Sequence, residues 1–337
     1  MYKAFLLGIL PLAIILAPAN TRAQEILYPD FYQQVQELEM EGNFEKALEV
    51  LRANGNAFPE KYFTLLKEEI YIQEKLQKHE DNLALFKEGH QKGYFFFLHP
   101  SLPAFEPYRH LEGFDSLSAI DLKLRDEALT RSEMIYRVVS PQGHSRKATH
   151  PVLFIFHGGG SRMEKVMDHW HSPTLDKVFI RVYIQSCLHY DSESYGWRSG
   201  DERAIRDVTD IYEHVLADQP VDTSELYLAG ISAGGTFAID LALRQPFPIK
   251  GYITFCPGIP KILSTGVAAT LLEKGSSVKG IFIGGEDDYY LPRQKQMAQI
   301  FDGLQLDYKH EVVPGMAHQY PVNESDWIEY ALQYLRK

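Results

Sequence analysis

The sequence has few cysteines and no concentration of positive charge. Its 337 residues include two cysteines, which is too few for a framework of disulfides. The formal net charge is -11 at pH 7, and the 34 lysines and arginines are scattered among the carboxylates. A nucleic-acid partner is not expected, because it would require a basic patch. With 45% hydrophobic and 23% charged residues, the composition is that of a globular protein with one large core and a smaller additional region.

The sequence also lacks the common motifs for metals and nucleotides. It has no His-Glu-x-x-His and no Cys-x-x-Cys, so His169, His171 and His189 are expected to be surface or packed residues and not zinc ligands. It has neither Gly-x-Gly-x-x-Gly nor Gly-Lys-Ser/Thr, which argues against a phosphate-binding loop. We therefore expect no cofactor and no metal.

The first 23 residues have the pattern of a secretory signal. Lys3 precedes an apolar run over 4–19 that contains Pro11 and Pro18, and Ala23 closes the segment. A permanent transmembrane helix needs about 20 apolar residues, so the run is short for one. The pattern predicts removal of residues 1–23 and export to the periplasm or the exterior. The alternative is an N-terminal anchor that is not cleaved.

Residues 24–130 are predicted to form a small all-α domain. Apolar residues recur at helical spacing, as in Leu65, Leu66 and Ile70. The segment 42–59 has the spacing of one tetratricopeptide helical hairpin. This region either contacts a partner protein or only caps the rest of the chain, and the cap is favoured because an isolated repeat lacks stacked neighbours.

Two other segments each allow two interpretations. The apolar cluster 93–98 must be covered, so it either packs at a domain boundary or lines an acyl pocket, and packing is the more common role of aromatic clusters. The loop 195–201 either lines a substrate cleft through Trp197 and Arg198 or is a packed connection.

Residues 131–337 alternate short β-rich runs with amphipathic helical stretches, which predicts a mainly parallel sheet flanked by helices. The predicted strands are 133–139, 152–156, 178–184, 226–229, 251–255, 281–283 and 309–313. The predicted helices are 203–217, 235–244, 293–301 and 327–335. Cys187 and Cys256 end strands about 14 Å apart in this order, so both are expected to be free.

Two glycine-rich turns follow predicted strands. The run His157-Gly158-Gly159-Gly160 offers backbone N–H groups that could approach a substrate oxygen closely. The run Gly230-Ile231-Ser232-Ala233-Gly234-Gly235 stands between an apolar strand and a helix. Such a turn exposes the serine hydroxyl and needs glycines, because side chains there would clash. Ser232 is therefore the candidate nucleophile.

A serine hydroxyl needs a base, and the base needs a group that orients it. Past strand 281–283 comes a turn dense in carboxylates, with Glu286, Asp287 and Asp288. His318 follows the last predicted strand. Serine, acid and histidine thus occur in the order that is typical of one class of serine hydrolase.

With these motifs, the chain from residue 131 resembles the α/β-hydrolase superfamily, especially its phospholipase/carboxylesterase and feruloyl-esterase-like branches. The resemblance places the acid on Asp288, in a Gly-x-x-Asp-x-x-x-Pro pattern, and leaves Asp287 as a lesser candidate. It places the base on His318, in Pro-Gly-x-x-His. It also implies an oxyanion hole formed by the N–H groups of Gly159 and Ala233.

The activity that this resemblance implies is hydrolysis of a small-molecule, carbohydrate or lipid ester through an acyl-enzyme. Two alternatives remain. A peptidase of the prolyl-oligopeptidase kind would share the triad, although residues 24–130 are too short and too helical for its β-propeller. An inert protein that binds a partner through the helical domain is the other alternative, because the presence of these residues does not establish activity.

Overall fold

A computed structural model describes residues 27–143, 148–263 and 278–337. The predicted signal segment 1–23 lies outside the described residues. The chain divides into two compact units, Met1–Lys78 and His79–Lys337. Among the described residues, no helix combines the length and the apolar character needed to cross a membrane.

The first unit is helical, as predicted. Its core contains Phe31, Val35, Leu48 and Leu51, which recur three or four positions apart within each helix and therefore share one face. The resemblance of this segment to a tetratricopeptide repeat remains a prediction. Its helices are α1 (Tyr28–Met40), α2 (Phe44–Asn54) and α3 (Tyr62–Lys75).

The second unit begins with helices α4 (His79–Gln91) and α5 (Phe114–Arg131). The sequence analysis assigned both helices to the N-terminal helical domain, and its boundary near residue 130 remains a prediction. The buried carboxylate of Asp121 in α5 accepts hydrogen bonds from the N–H groups of Phe96 and Leu98, each at 2.7 Å. The apolar cluster 93–98 is thereby held against α5.

A seven-stranded sheet forms the centre of this unit. Its order is β1-β3-β2-β6-β7-β8-β9, in which β1 pairs antiparallel with β3 and every other neighbouring pair is parallel. All seven predicted strands are present. Their bounds are β1 (Ile135–Val139), β2 (His150–Phe156), β3 (Ile180–Gln185), β6 (Val221–Ile231), β7 (Gly251–Phe255), β8 (Lys279–Gly285) and β9 (Tyr308–Val313).

The sheet is covered on both faces, which explains why its central strands are continuously apolar. In β2, Phe154 and Phe156 point into one core, whereas Leu153 and Ile155 point into the other. Helices α8, α9 and α10 cover the first face, and α6, α7 and α11 cover the second. Their bounds are α6 (Met163–Val166), α7 (Pro173–Val178), α8 (Glu202–Asp218), α9 (Ser232–Arg244), α10 (Leu291–Gly303) and α11 (Glu324–Leu335).

The stretch between β3 and α8 contains an element that the sequence analysis did not predict. Strands β4 (Leu188–Asp191) and β5 (Ser194–Gly196) pair as a small antiparallel hairpin outside the main sheet. Cys187 precedes this hairpin, and Cys256 follows β7; both are buried and free, as predicted.

Candidate active site

Ser232 lies at the turn between β6 and α9. It is the first residue of the helix, and its φ of 55° is in the left-handed region, which is strained for a residue with a side chain. A Cβ atom on Gly234 would lie 2.3 Å from the carbonyl oxygen of His157, and one on Gly230 would lie 2.7 Å from the carbonyl carbon of Gly234. Both positions therefore require glycine. The turn holds the Ser232 hydroxyl at the start of a helix, where the dipole favours negative charge.

Ser232, His318 and Asp288 lie together at the carboxyl edge of the sheet. The Nε2 atom of His318 is 2.8 Å from the Ser232 Oγ, and its Nδ1 atom is 2.8 Å from the Asp288 Oδ1. Asp287 is exposed, and its main-chain N–H donates to the carbonyl oxygen of Met316. Of the two candidate acids, it is thus Asp288 that contacts the imidazole.

The Asp288 carboxylate is buried and well supplied with hydrogen-bond donors. Burial by itself raises the pKa of this group, but donors from Tyr290, His318 and Cys256 outweigh that effect and hold the pKa below its usual value. The Tyr290 N–H lies 2.8 Å from Oδ1, and Gln294 donates to Oδ2 at 2.9 Å. The carboxylate is therefore ionised at neutral pH and able to hold the Nδ1–H of the imidazole.

The loop after β2 meets the nucleophile turn. A Cβ atom on Gly159 would lie 3.3 Å from the Cβ of Ala233, so the backbones at these two positions are adjacent. The Gly159 N–H has no hydrogen-bond acceptor within the described part of the chain. Ala233 lies in the first turn of α9, where N–H groups lack an intrahelical acceptor. The two predicted oxyanion donors thus lie on neighbouring stretches of the backbone.

His157 holds this loop in place. Its side chain is fully buried, its Nδ1 lies 2.7 Å from the carbonyl oxygen of Gly158, and its Nε2 accepts from the N–H of Ser186 at 3.2 Å. Burial lowers the pKa of His157 to about 4. The neutral imidazole, with its proton on Nδ1, satisfies both contacts, so His157 fixes the backbone beside Gly159.

Two tyrosines that the sequence analysis did not single out enclose His318. The Tyr289 ring stacks on the imidazole with centroids 4.4 Å apart, and the Tyr290 ring meets it edge-on at 5.1 Å. Tyr289 is 67% exposed, so its outer face is open to solvent. The two rings limit the orientations available to the imidazole. In the sequence, the sign of this role was that both tyrosines directly follow Asp288 in the carboxylate-rich turn.

Cys256 lies behind the acid and the base. Its φ is 48°, its side chain is buried, and its Sγ is 3.4 Å from the carbonyl oxygen of Gln319, next to His318. Burial, together with the negative charge of Asp288, raises the pKa of the Cys256 thiol to about 12. The thiol therefore stays protonated and donates to the carbonyl oxygen of Gln319.

His169 and Trp197 have partners other than the triad residues. His169 pairs with Glu324 at 2.8 Å, and its ring stacks on Tyr320 with centroids 3.7 Å apart. Trp197 packs in the core against Phe237, with centroids 4.7 Å apart, so it is part of a packed connection. Among the described residues, the one group of potential metal ligands is Cys256, Asp288 and His318, with ligand atoms within 4.8 Å of one another. Because Asp288 and His318 contact each other directly, this group is the same site.

The sequence matches no protein-family model and no curated protein. Solved structures are similar to it in fold. An uncharacterised protein from Bacillus cereus matches with a TM-score of 0.50 at 18% identity, over 92% of this chain and 99% of that one. An S-formylglutathione hydrolase from Agrobacterium tumefaciens matches with a TM-score of 0.50 at 15% identity, over 62% of this chain and 91% of that one. Esterase PE8 matches with a TM-score of 0.48 at 18% identity, over 60% and 99% of the respective chains.

These identities are low, so the similarity establishes fold alone. The chain has the α/β-hydrolase fold, with a mainly parallel sheet flanked by helices and a helical region before it. The fold class predicted from the sequence is confirmed.

Proposed function

We propose that this protein is a serine hydrolase that cleaves carboxylic esters, with Ser232 as nucleophile, His318 as general base and Asp288 as the acid that orients the base. The observation that carries the proposal is the continuous chain of two 2.8 Å contacts from the Ser232 hydroxyl through the imidazole to the carboxylate. In this arrangement an ordinary hydroxyl becomes a nucleophile.

The reaction proceeds in two halves. Ser232 Oγ attacks the ester carbonyl carbon while its proton passes to Nε2 of His318. The resulting oxyanion is held by the N–H groups of Gly159 and Ala233. Collapse of this intermediate breaks the bond to the alcohol, which leaves with the proton from Nε2. Water then attacks the acyl-serine in the same way, the acid is released, and Ser232 regains its proton. Asp288 stabilises the imidazolium in both halves.

Covalent labelling with a fluorophosphonate probe tests this proposal. We expect the wild type and Ser224→Ala to be labelled and Ser232→Ala to be unlabelled. Ser224 is an exposed serine on the same strand and serves as the matched control. An unlabelled wild type would overturn the proposal and favour an inert binding protein. Aryl esters should be hydrolysed faster than prolyl amides, and the reverse order would indicate a peptidase.

Export and a small all-α domain over 24–130 are further proposals, supported by the sequence patterns described above. The mass of the protein recovered from an expressing host tests the first, because removal of residues 1–23 leaves a chain that begins at Gln24.

A further inference from the structure

The β4–β5 hairpin places Tyr190 beside the proposed oxyanion hole. The hydroxyl oxygen of Tyr190 lies 3.6 Å from the position that a Cβ atom on Gly159 would occupy. The same position is 3.3 Å from the Cβ of Ala233. The small space left by the missing side chain at residue 159 is thus bordered by the phenol hydroxyl of Tyr190 and by the Cβ atom of Ala233.

The Tyr190 ring is fixed within the hairpin. A Cβ atom on Gly196, in the paired strand, would come within 2.0 Å of the ring, so the ring lies directly against that glycine. The edge-on ring of Phe97 lies near it, with centroids 6.3 Å apart. The Arg125 guanidinium sits 4.0 Å above the Phe97 ring and also donates to the carbonyl oxygen of His189 at 3.0 Å. The hydroxyl is therefore presented by a ring that packs against its own hairpin and against Phe97 of the cluster 93–98.

Within the described residues, the Tyr190 hydroxyl has no hydrogen-bond partner, and the residue is 42% exposed. A phenol hydroxyl can donate a hydrogen bond to a substrate oxygen. The neighbouring Gly159 N–H also lacks an acceptor in the described chain. Two adjacent donors without acceptors are the arrangement that binds an oxygen on which negative charge develops.

We propose that the hydroxyl of Tyr190 is a third oxyanion donor, which hydrogen-bonds the substrate oxygen together with the N–H groups of Gly159 and Ala233. This inference rests on the proposed hydrolase function. It assigns a role to a hairpin that the triad does not use. A side chain at residue 196 would displace the Tyr190 ring, because its Cβ atom would lie 2.0 Å from that ring.

The variant Tyr190→Phe tests this inference, because it removes the hydroxyl and retains the ring. With a 4-nitrophenyl ester, kcat should fall about tenfold to a hundredfold, at or below the lower end of the 10²- to 10³-fold range for loss of one oxyanion donor, since two backbone donors remain. KM should change less than about threefold, because the contact forms mainly in the transition state. The Ki of a trifluoromethyl ketone, which forms a tetrahedral adduct on the serine, should rise by the same factor as kcat/KM falls.

Tyr195→Phe is the matched control. Tyr195 lies on the partner strand of the same hairpin, and its ring contacts His189 with centroids 4.5 Å apart. This variant should keep kcat and the inhibitor Ki within twofold of wild type. A change in hairpin stability alone would appear in the melting temperature of Tyr190→Phe and would leave the inhibitor Ki unchanged.

Two results would overturn the inference while leaving the hydrolase proposal intact. One is a Tyr190→Phe enzyme with kcat and inhibitor Ki within twofold of wild type, when Ser232→Ala is inactive. The other is an increase in KM alone, which would make Tyr190 a contact of the ground state. A wild type that neither hydrolyses esters nor reacts with the fluorophosphonate would overturn both proposals together.

Discussion

Replacement of Asp288 by Asn is the sharpest test of how the base is oriented. Oδ1 of Asp288 accepts from both His318 Nδ1 and the Tyr290 N–H, whereas Oδ2 accepts from Gln294. The Asn side chain has one oxygen atom and one NH2 group in place of the two carboxylate oxygens. If its NH2 faces His318, the imidazole must place its proton on Nε2 and can no longer accept the proton of Ser232. If its oxygen faces His318, the tautomer is kept but the charge that stabilises the imidazolium is lost.

The expected fall in kcat for Asp288→Asn is about 10³- to 10⁴-fold. This corresponds to about 4 to 5.5 kcal/mol of transition-state stabilisation at 1.36 kcal/mol per factor of ten. The assay is steady-state hydrolysis of 4-nitrophenyl acetate at saturating ester. Circular dichroism should show a folded protein, because Asn has nearly the volume of Asp.

Asp287→Asn is the adjacent control. The Asp287 side chain is exposed and contacts neither His318 nor Ser232 in the structure, so kcat should stay within twofold of wild type. The reasoning fails if Asp288→Asn keeps more than a tenth of the wild-type kcat. It also fails if Asp287→Asn is impaired as strongly as Asp288→Asn.

Two further predictions concern stability. The pKa of His157 is about 4 in the folded protein and about 6.5 in the unfolded chain. Between these pH values the unfolded chain binds one proton more than the folded protein. The free energy of unfolding should therefore fall by about 3 kcal/mol as the pH drops from above 6.5 to 4. Denaturant titrations at several pH values should show that the free energy of unfolding falls less steeply with decreasing pH in His157→Gln than in the wild type. An equal dependence on pH in the two proteins would contradict the low pKa of His157. Gly234→Ala should destabilise by about 3 kcal/mol or prevent folding, because the new Cβ meets the carbonyl oxygen of His157 at 2.3 Å. Gly303→Ala, where no atom lies within 4 Å of the new Cβ, should be neutral or slightly stabilising, and similar melting temperatures for the two variants would refute the steric argument.

The sheet was predictable because its signals are local and strong. Strands β2 and β8 are apolar runs followed by glycines, and α9 begins at a serine flanked by glycines. The helix bounds were less accurate. The prediction began α9 at Gly235, three residues late, because glycines disfavour helix in isolation, whereas here the first turn packs against the loop after β2.

Residues that act through distant contacts were not predictable. Tyr190 stands in a short polar stretch with little strand character, and the hairpin depends on pairing with Tyr195 and on packing against residues 95–97, almost a hundred positions earlier. Cys256 was interpreted as a structural cysteine because its proximity to Asp288 arises only when β7 and β8 pair. Choosing between Asp287 and Asp288 required the family resemblance, since the spacing alone admits both.

The proposed nucleophile and the proposed base follow strands that differ in the number of neighbours they pair with. Ser232 follows β6, the middle strand of the sheet, whereas His318 follows β9, one of the two edge strands, which has a single neighbour. An outer strand opens at a lower free energy than a central one, because fewer contacts must break. We therefore expect the segment that carries the base to open at a lower free energy than the turn that carries the nucleophile.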